Sequence, residues 1–155
     1  MDEQRDVGEA RLAQALVREA PEAIIVADPQ GQIQLWNAGA AAMFGYSVED
    51  ALGQSLDLII PEKQRARHWV GWQGVIETGV TRYGEGQLLA VPAMHRSGRR
   101  LSVEFSVALL RNQTGLLNGI SAVMREVSKR RVADQELWVR LTELERLMAD
   151  ARRVD

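Results

Sequence analysis

The stretch Trp36-Asn37-Ala38-Gly39-Ala40-Ala41-Ala42-Met43-Phe44-Gly45-Tyr46-Ser47 constrains this chain more than any other part of it. Gln32 to Trp36 alternates polar and apolar, which reads as a short strand with Ile33 and Leu35 on one face. Asn37 follows, and its side-chain amide can cap the next turn. The small residues after it suit a helical turn, and Phe44-Gly45-Tyr46 closes that turn, with Gly45 supplying a backbone geometry that a side chain resists. Upstream, Glu22 to Ala27 reads as a buried strand running into Asp28-Pro29-Gln30-Gly31. That tetrapeptide has turn chemistry, with Pro second and Gly fourth. Downstream, Val48 to Leu52 reads as a short helix stopped by Gly53.

The rest of the chain extends this pattern. Val7, Leu12, Leu16 and Val17 predict an amphipathic helix over 6–20, ended by Pro21. A further helical turn falls at Leu56 to Ile60 and stops at Pro61. Glu62 to Glu77 is the one long mid-chain helix, terminated by Thr78-Gly79. Three strands follow. The first covers 82–94, with Pro92 marking a bulge or a sheet edge. After the turn His95-Arg96-Ser97-Gly98, the second alternates strictly: Leu101, Val103, Phe105, Val107 and Leu109 on one face, Ser102, Glu104 and Ser106 on the other. Asn112-Gln113-Thr114-Gly115 is another turn, and Leu116 to Val127 is the third strand.

The N-x-x-A-x-x-x-F-G-Y core (Asn37, Ala40, Phe44, Gly45, Tyr46), its flanking turn and the order of elements after it resemble the PAS domain, a small sensory module of bacterial signalling proteins. The resemblance covers about Ala20 to Ser128. It implies an α+β PAS fold: a five-stranded antiparallel sheet with short helices and one long helix on one face. The expected division is a cap helix at 1–20, the PAS sensor domain at 21–128 and a signalling helix at 129–155.

Composition narrows the function classes. The 155 residues are 46% hydrophobic, enough to fill one core, and the net charge of −2 exerts no global pull on nucleic acid or anionic membrane. There is no cysteine, which excludes disulfides, Cys metal sites and thiol chemistry. It also excludes the Cys that flavin-adduct and yellow-protein photoreceptors of the PAS superfamily need. No apolar run approaches a membrane span, and Met1-Asp2-Glu3 is unlike a secretory signal, so the expectation is a cytoplasmic protein without membrane or nucleic-acid partners.

Ser128 to Asp155 reads as a helix in which Leu137, Leu141, Leu144, Met148 and Ala151 alternate spacings of four and three, a coiled-coil seam. PAS domains often end in an Asp-Ile-Thr-like triplet that starts the output helix, and Glu126-Val127-Ser128 sits in that place. The expectation is a homodimer through the terminal helices. The chain shows no effector segment, so output goes to a separate effector protein or the chain is part of a longer sensor.

Catalysis is not expected: the two histidines belong to no Ser-His-Asp arrangement, and no phosphate-cradling loop appears. His68 is the candidate binding residue. On the long helix it is in phase with Gly71, Trp72 and Val75, so it points along an apolar stripe beside a glycine. A neutral imidazole there is what an axial haem ligand requires, and the glycine gives clearance to a flat porphyrin. Arg65-Ala66-Arg67-His68-Trp69-Val70-Gly71-Trp72, with Thr78-Gly79 after it, resembles the haem-binding helix of oxygen-sensing PAS kinases. That resemblance implies haem b with His68 as the metal ligand; Trp72, Leu88, Leu89, Val103 and Phe105 would line it, and Arg82 is either a propionate partner or, the favoured reading, a solvated strand-start arginine.

This chain departs from those kinases on the distal side. Their oxygen-holding Arg falls near Leu88 or Leu89 here, and the Met that some relatives use falls near Gly86 or Gln87. Met94 lies further along. An apolar distal side discriminates against oxygen and admits carbon monoxide or nitric oxide. The other readings are a partly buried, ligand-free His68 in an interaction module, or Trp69 and Trp72 lining a pocket for a non-haem organic ligand. Trp36 reads as core packing, Trp138 as interface or surface, and His95 as solvent-exposed in its turn.

Overall fold

The computed structural model of the chain describes residues 2–82 and 87–152. Five helices and five strands follow one another in the expected order: α1 (Asp2–Glu19), β1 (Ala23–Ala27), β2 (Ile33–Trp36), α2 (Ala38–Phe44), α3 (Val48–Ala51), a 3-10 turn at Leu56–Leu58, α4 (Glu62–Thr78), β3 (Leu89–Met94), β4 (Arg100–Arg111), β5 (Leu117–Glu126) and α5 (Ser128–Ala151). The strands form one antiparallel sheet in the order β2-β1-β5-β4-β3. The β1–β2 hairpin thus lies beside the last strand of the chain. Among the described residues no helix is long and apolar enough to cross a membrane.

Alternation decides the inner face. Ala23, Ile25 and Ala27 of β1 pair with Met124, Ala122 and Ile120 of β5, which pair with Phe105, Val107 and Leu109 of β4. At the edge, Leu89, Val91 and Ala93 of β3 pair with Phe105, Val103 and Leu101. Leu101 and Val103 are fully buried and pack with Ile25, Ile33, Trp36, Phe44, Leu56 and Ile59. Pro92 sits on this edge strand, where its missing N–H costs no ladder bond.

Asn37 holds the first half together. It is buried, caps α2 by accepting from Ala40 N–H (2.9 Å), and also accepts from Ile24 N–H (2.8 Å). Its amide group donates to the carbonyls of Val17 (2.9 Å), Glu22 (3.0 Å) and Ala20 (3.4 Å), tying the end of α1 to the core. Gly45 ends α2 in the left-handed region, at φ 81°. The Trp36 indole donates to Tyr46 O (3.1 Å) while its ring lies 5.5 Å from that of Phe44, so Trp36 is core packing as expected.

Several expectations need correction. A bulge between Val26 and Ala27 places Trp36 opposite Ile25 and Ile33 opposite Ala27, so Trp36 rather than Leu35 shares the inner face with Ile33. The first of the late strands begins at Leu89, not at Arg82; the segment 83–86 lies outside the described residues. His95 is not simply solvated: it is half-buried, its Nε2 stands against Gly45, and a Cβ at Gly45 would come within 2.6 Å of it. Of the apolar residues of α1, Val17 is half-buried at the end tied to Asn37, while Val7, Leu12 and Leu16 are exposed.

Candidate functional site

Helix α4 presents one face to the core. Gln64, Arg65, His68, Trp69, Trp72, Val75 and Ile76 are half-buried at helical spacing, while Lys63, Arg67, Val70, Gly71 and Gln73 are exposed. No residue of α4 is fully buried, and Trp69 and Trp72 are the side chains it packs against the core. These two dock it at one side. The Trp72 indole donates to Pro29 O (3.0 Å), and the Trp69 indole donates to Asp57 Oδ1 (2.8 Å) while its ring covers Gly31. Arg65 donates to Ile60 O (3.0 Å) and Asp57 O (3.2 Å). At the far end, Arg111 of β4 donates to Gly79 O (2.8 Å), the left-handed cap of α4.

His68 sits between these anchors. Its ring lies 4.7 Å from Trp69, edge-on, and 5.7 Å from Trp72 at a 33° tilt. Burial holds its pKa below the ordinary histidine value, and the nearby Asp57 carboxylate offsets this only in part. The imidazole is therefore neutral at neutral pH. Its Nδ1 is shielded from solvent and has no hydrogen-bond partner among the described residues.

The residues named from the sequence divide. Leu89, Val103 and Phe105 adjoin one another on the inner face of β3 and β4, and Trp69, Trp72 and Phe105 pack on the same core. Leu88 does not line this space: it precedes the strand and is 65% exposed. Arg82 is exposed too. Gly71, expected to give clearance beside His68, lies on the outer side of α4 with open space around it, because the three-residue step from His68 carries it past the buried stripe. Met94 is fixed by its backbone bond to Ile59 O (2.9 Å) at the far end of β3. Sequence reasoning missed Asp57 and Gln64; the spacing of four before His68 is the signal for the latter.

The residues present fit haem b on two grounds. A half-buried, neutral imidazole carries an orphaned nitrogen on the inward face of α4, and Leu89, Val103 and Phe105 on the inner sheet face are apolar. His68 would hold the group, with Trp72, Leu89, Val103 and Phe105 as its apolar surroundings; bound haem supplies an iron centre for diatomic ligands and electron exchange.

The sheet order, the capped α2 and the single long helix over the inner face define a PAS-type sensory fold. The family profile described as PAS fold matches residues 11–127, and the chain belongs to that family. It is 39% identical over 54 residues to Sensor protein FixL of Bradyrhizobium diazoefficiens, covering 35% of this chain and 11% of FixL. The PAS domain of a Colwellia psychrerythraea protein superposes with a TM-score of 0.67 at 20% identity, covering 77% of this chain and 98% of that one. An RNA-binding Light-Oxygen-Voltage receptor superposes with a TM-score of 0.67 at 19% identity, covering 86% and 37%.

The root of α5 is clamped to β4. Val127 N–H donates to Ser102 O (2.8 Å), and Ser102 N–H donates to Ser128 Oγ (3.1 Å). Arg99 pairs with Glu126 (3.4 Å) and Arg130 with Glu104. The triplet Glu126-Val127-Ser128 thus stands where β5 ends and α5 begins.

Proposed function

We propose that this PAS domain is a signal-input module that holds haem b through His68 between α4 and the inner sheet face. It senses a diatomic gas or a redox state and passes the change through a dimeric α5 to a separate effector. The carrying observation is the His68 Nδ1, buried and unpartnered on a neutral ring. A neutral imidazole on the inward helix face keeps one nitrogen lone pair for a ligand, while its Nδ1 awaits a hydrogen-bond partner that would orient the ring. The resemblance of 65–72 to the haem-binding helix of oxygen-sensing PAS kinases and the local identity to Sensor protein FixL support the reading.

A second reading has its own observation. Leu101 and Val103 of β4 are fully buried, and Trp69 and Trp72 pack against the core, which suits a ligand-free interaction module. The absorption spectrum of protein expressed with added haem separates the two. A Soret band that His68→Ala abolishes without loss of fold supports the sensor. Wild-type protein that takes up no haem overturns it and leaves the interaction module or an organic ligand.

A further inference from the structure

One turn before His68, Gln64 brings a second polar atom to the same buried space. Gln64 Oε1 and His68 Nδ1 are both shielded from solvent, and neither has a hydrogen-bond partner among the described residues. Side chains four apart on a helix share a face, with Cβ atoms about 5–6 Å from each other. The two orphans therefore stand on side chains that share one face of α4.

Their chemistry is complementary. An amide oxygen only accepts, whereas a neutral imidazole carries one N–H that can sit on either nitrogen. Nearby, Asp57 Oδ1 accepts from the Trp69 indole, Arg65 donates to the carbonyls of Ile60 and Asp57, and the Trp72 indole donates to Pro29 O. A bond between the two orphans satisfies both at once, and it needs only a side-chain rotation or one bridging water.

We propose that Gln64 sets the tautomer of His68: its Oε1 accepts from Nδ1–H, directly or through one water, and leaves Nε2 as the free lone pair. The proposal rests on the reading of His68 as the ligand-holding residue and names what prepares it. An acceptor on the far nitrogen fixes the ring plane and makes the imidazole a more basic ligand. Gln64 is thus a positioning residue that acts through His68.

The test reads the tautomer first, without any cofactor. In the haem-free full chain with ¹⁵N-labelled histidine, long-range proton–nitrogen correlation at neutral pH shows which His68 nitrogen carries hydrogen. His68→Gln identifies its signals against those of His95. The expected result is Nδ1–H in the wild type, a shift to mostly Nε2–H in Gln64→Leu, and recovery of Nδ1–H in Gln64→Glu. A wild type with Nε2–H, or a Gln64→Leu variant with an unchanged tautomer, overturns the proposal.

Haem retention and reduction potential of the loaded chain form the second arm. Gln64→Leu should hold haem about tenfold or more weakly, with a higher potential, and Gln64→Glu should recover both. Haem held by His68 with a tautomer indifferent to Gln64 overturns this inference alone. A tautomer that follows Gln64 in a protein that takes up no haem supports the pair and overturns the haem reading alone.

Discussion

Trp69 lays the six-membered part of its indole against the backbone of Gly31, so closely that a Cβ on Gly31 would overlap the ring. Gly31 also lies in the left-handed region, at φ 79°. Long helix and hairpin turn are joined there by the one residue type that leaves the ring room.

Gly31→Ala should therefore cost stability twice, through backbone strain and through overpacking. The expected loss is about 2–4 kcal/mol in urea unfolding. In a Trp69→Leu background the same substitution should cost only about 1 kcal/mol, since the ring is gone and the strain remains. Equal costs in both backgrounds would contradict the contact.

Asn37→Ala should destabilise by about 3 kcal/mol, more than the roughly 1 kcal/mol of a lost helix cap. The excess comes from Ile24 N–H and from the Val17 and Glu22 carbonyls, which lose their partner. Asn37→Asp keeps the accepting oxygen and turns a charge toward those carbonyls, so it should not rescue. Chemical denaturation of the two variants beside the wild type is the check.

The pH dependence of the haem-free protein follows from His68. Its folded pKa is lowered by burial, so the unfolded chain binds its proton more readily. Stability is then full above the ordinary value of about 6.5 and falls as pH drops from there toward the lower folded value. The melting temperature should decline as pH falls below about 6.5, and His68→Gln should flatten that part of the curve. A wild-type slope retained in His68→Gln would assign the effect elsewhere.

Self-association should run through α5. Leu137, Leu141, Leu144 and Met148 are 45–67% exposed along one stripe, while Arg146 pairs with Glu143 and Asp150 on the other side of the helix. Light scattering of the full chain at high micromolar concentration should give a dimer. Leu141→Lys with Leu144→Lys should give a monomer with unchanged helix content, because each places a charge in the seam. A monomeric wild type would refute this.

The sequence shows the fold where one residue has one local reason to be there. Asn37 caps, Gly45 takes a left-handed turn, and the alternation from Leu101 to Leu109 marks the buried side of β4. It is silent where two elements meet. The bulge at Val26 and Ala27 that turns Trp36 inward, and the approach of His95 to Gly45, depend on pairings that no local pattern records. At the site the helical period located His68 and Trp72 on the inward face. The same period overreached at Gly71, since three residues of a helix turn only about 300°. Gln64, set between Lys63 and Arg65, shows its inward position only through its spacing of four from His68.

The clamp at Ser102 makes β4 a fulcrum. Neighbouring residues of a strand point to opposite faces, so Val103, buried on the inner side, is one residue from the backbone that grips the start of α5. On the proposed sensor reading, a bound molecule that shifted that strand would act on the helix root without passing through any other element. Helix α5 has 24 residues, about 36 Å of rigid arm. A tilt of about five degrees at its base swings the far end by roughly 3 Å, enough to change which leucines meet across a two-helix contact.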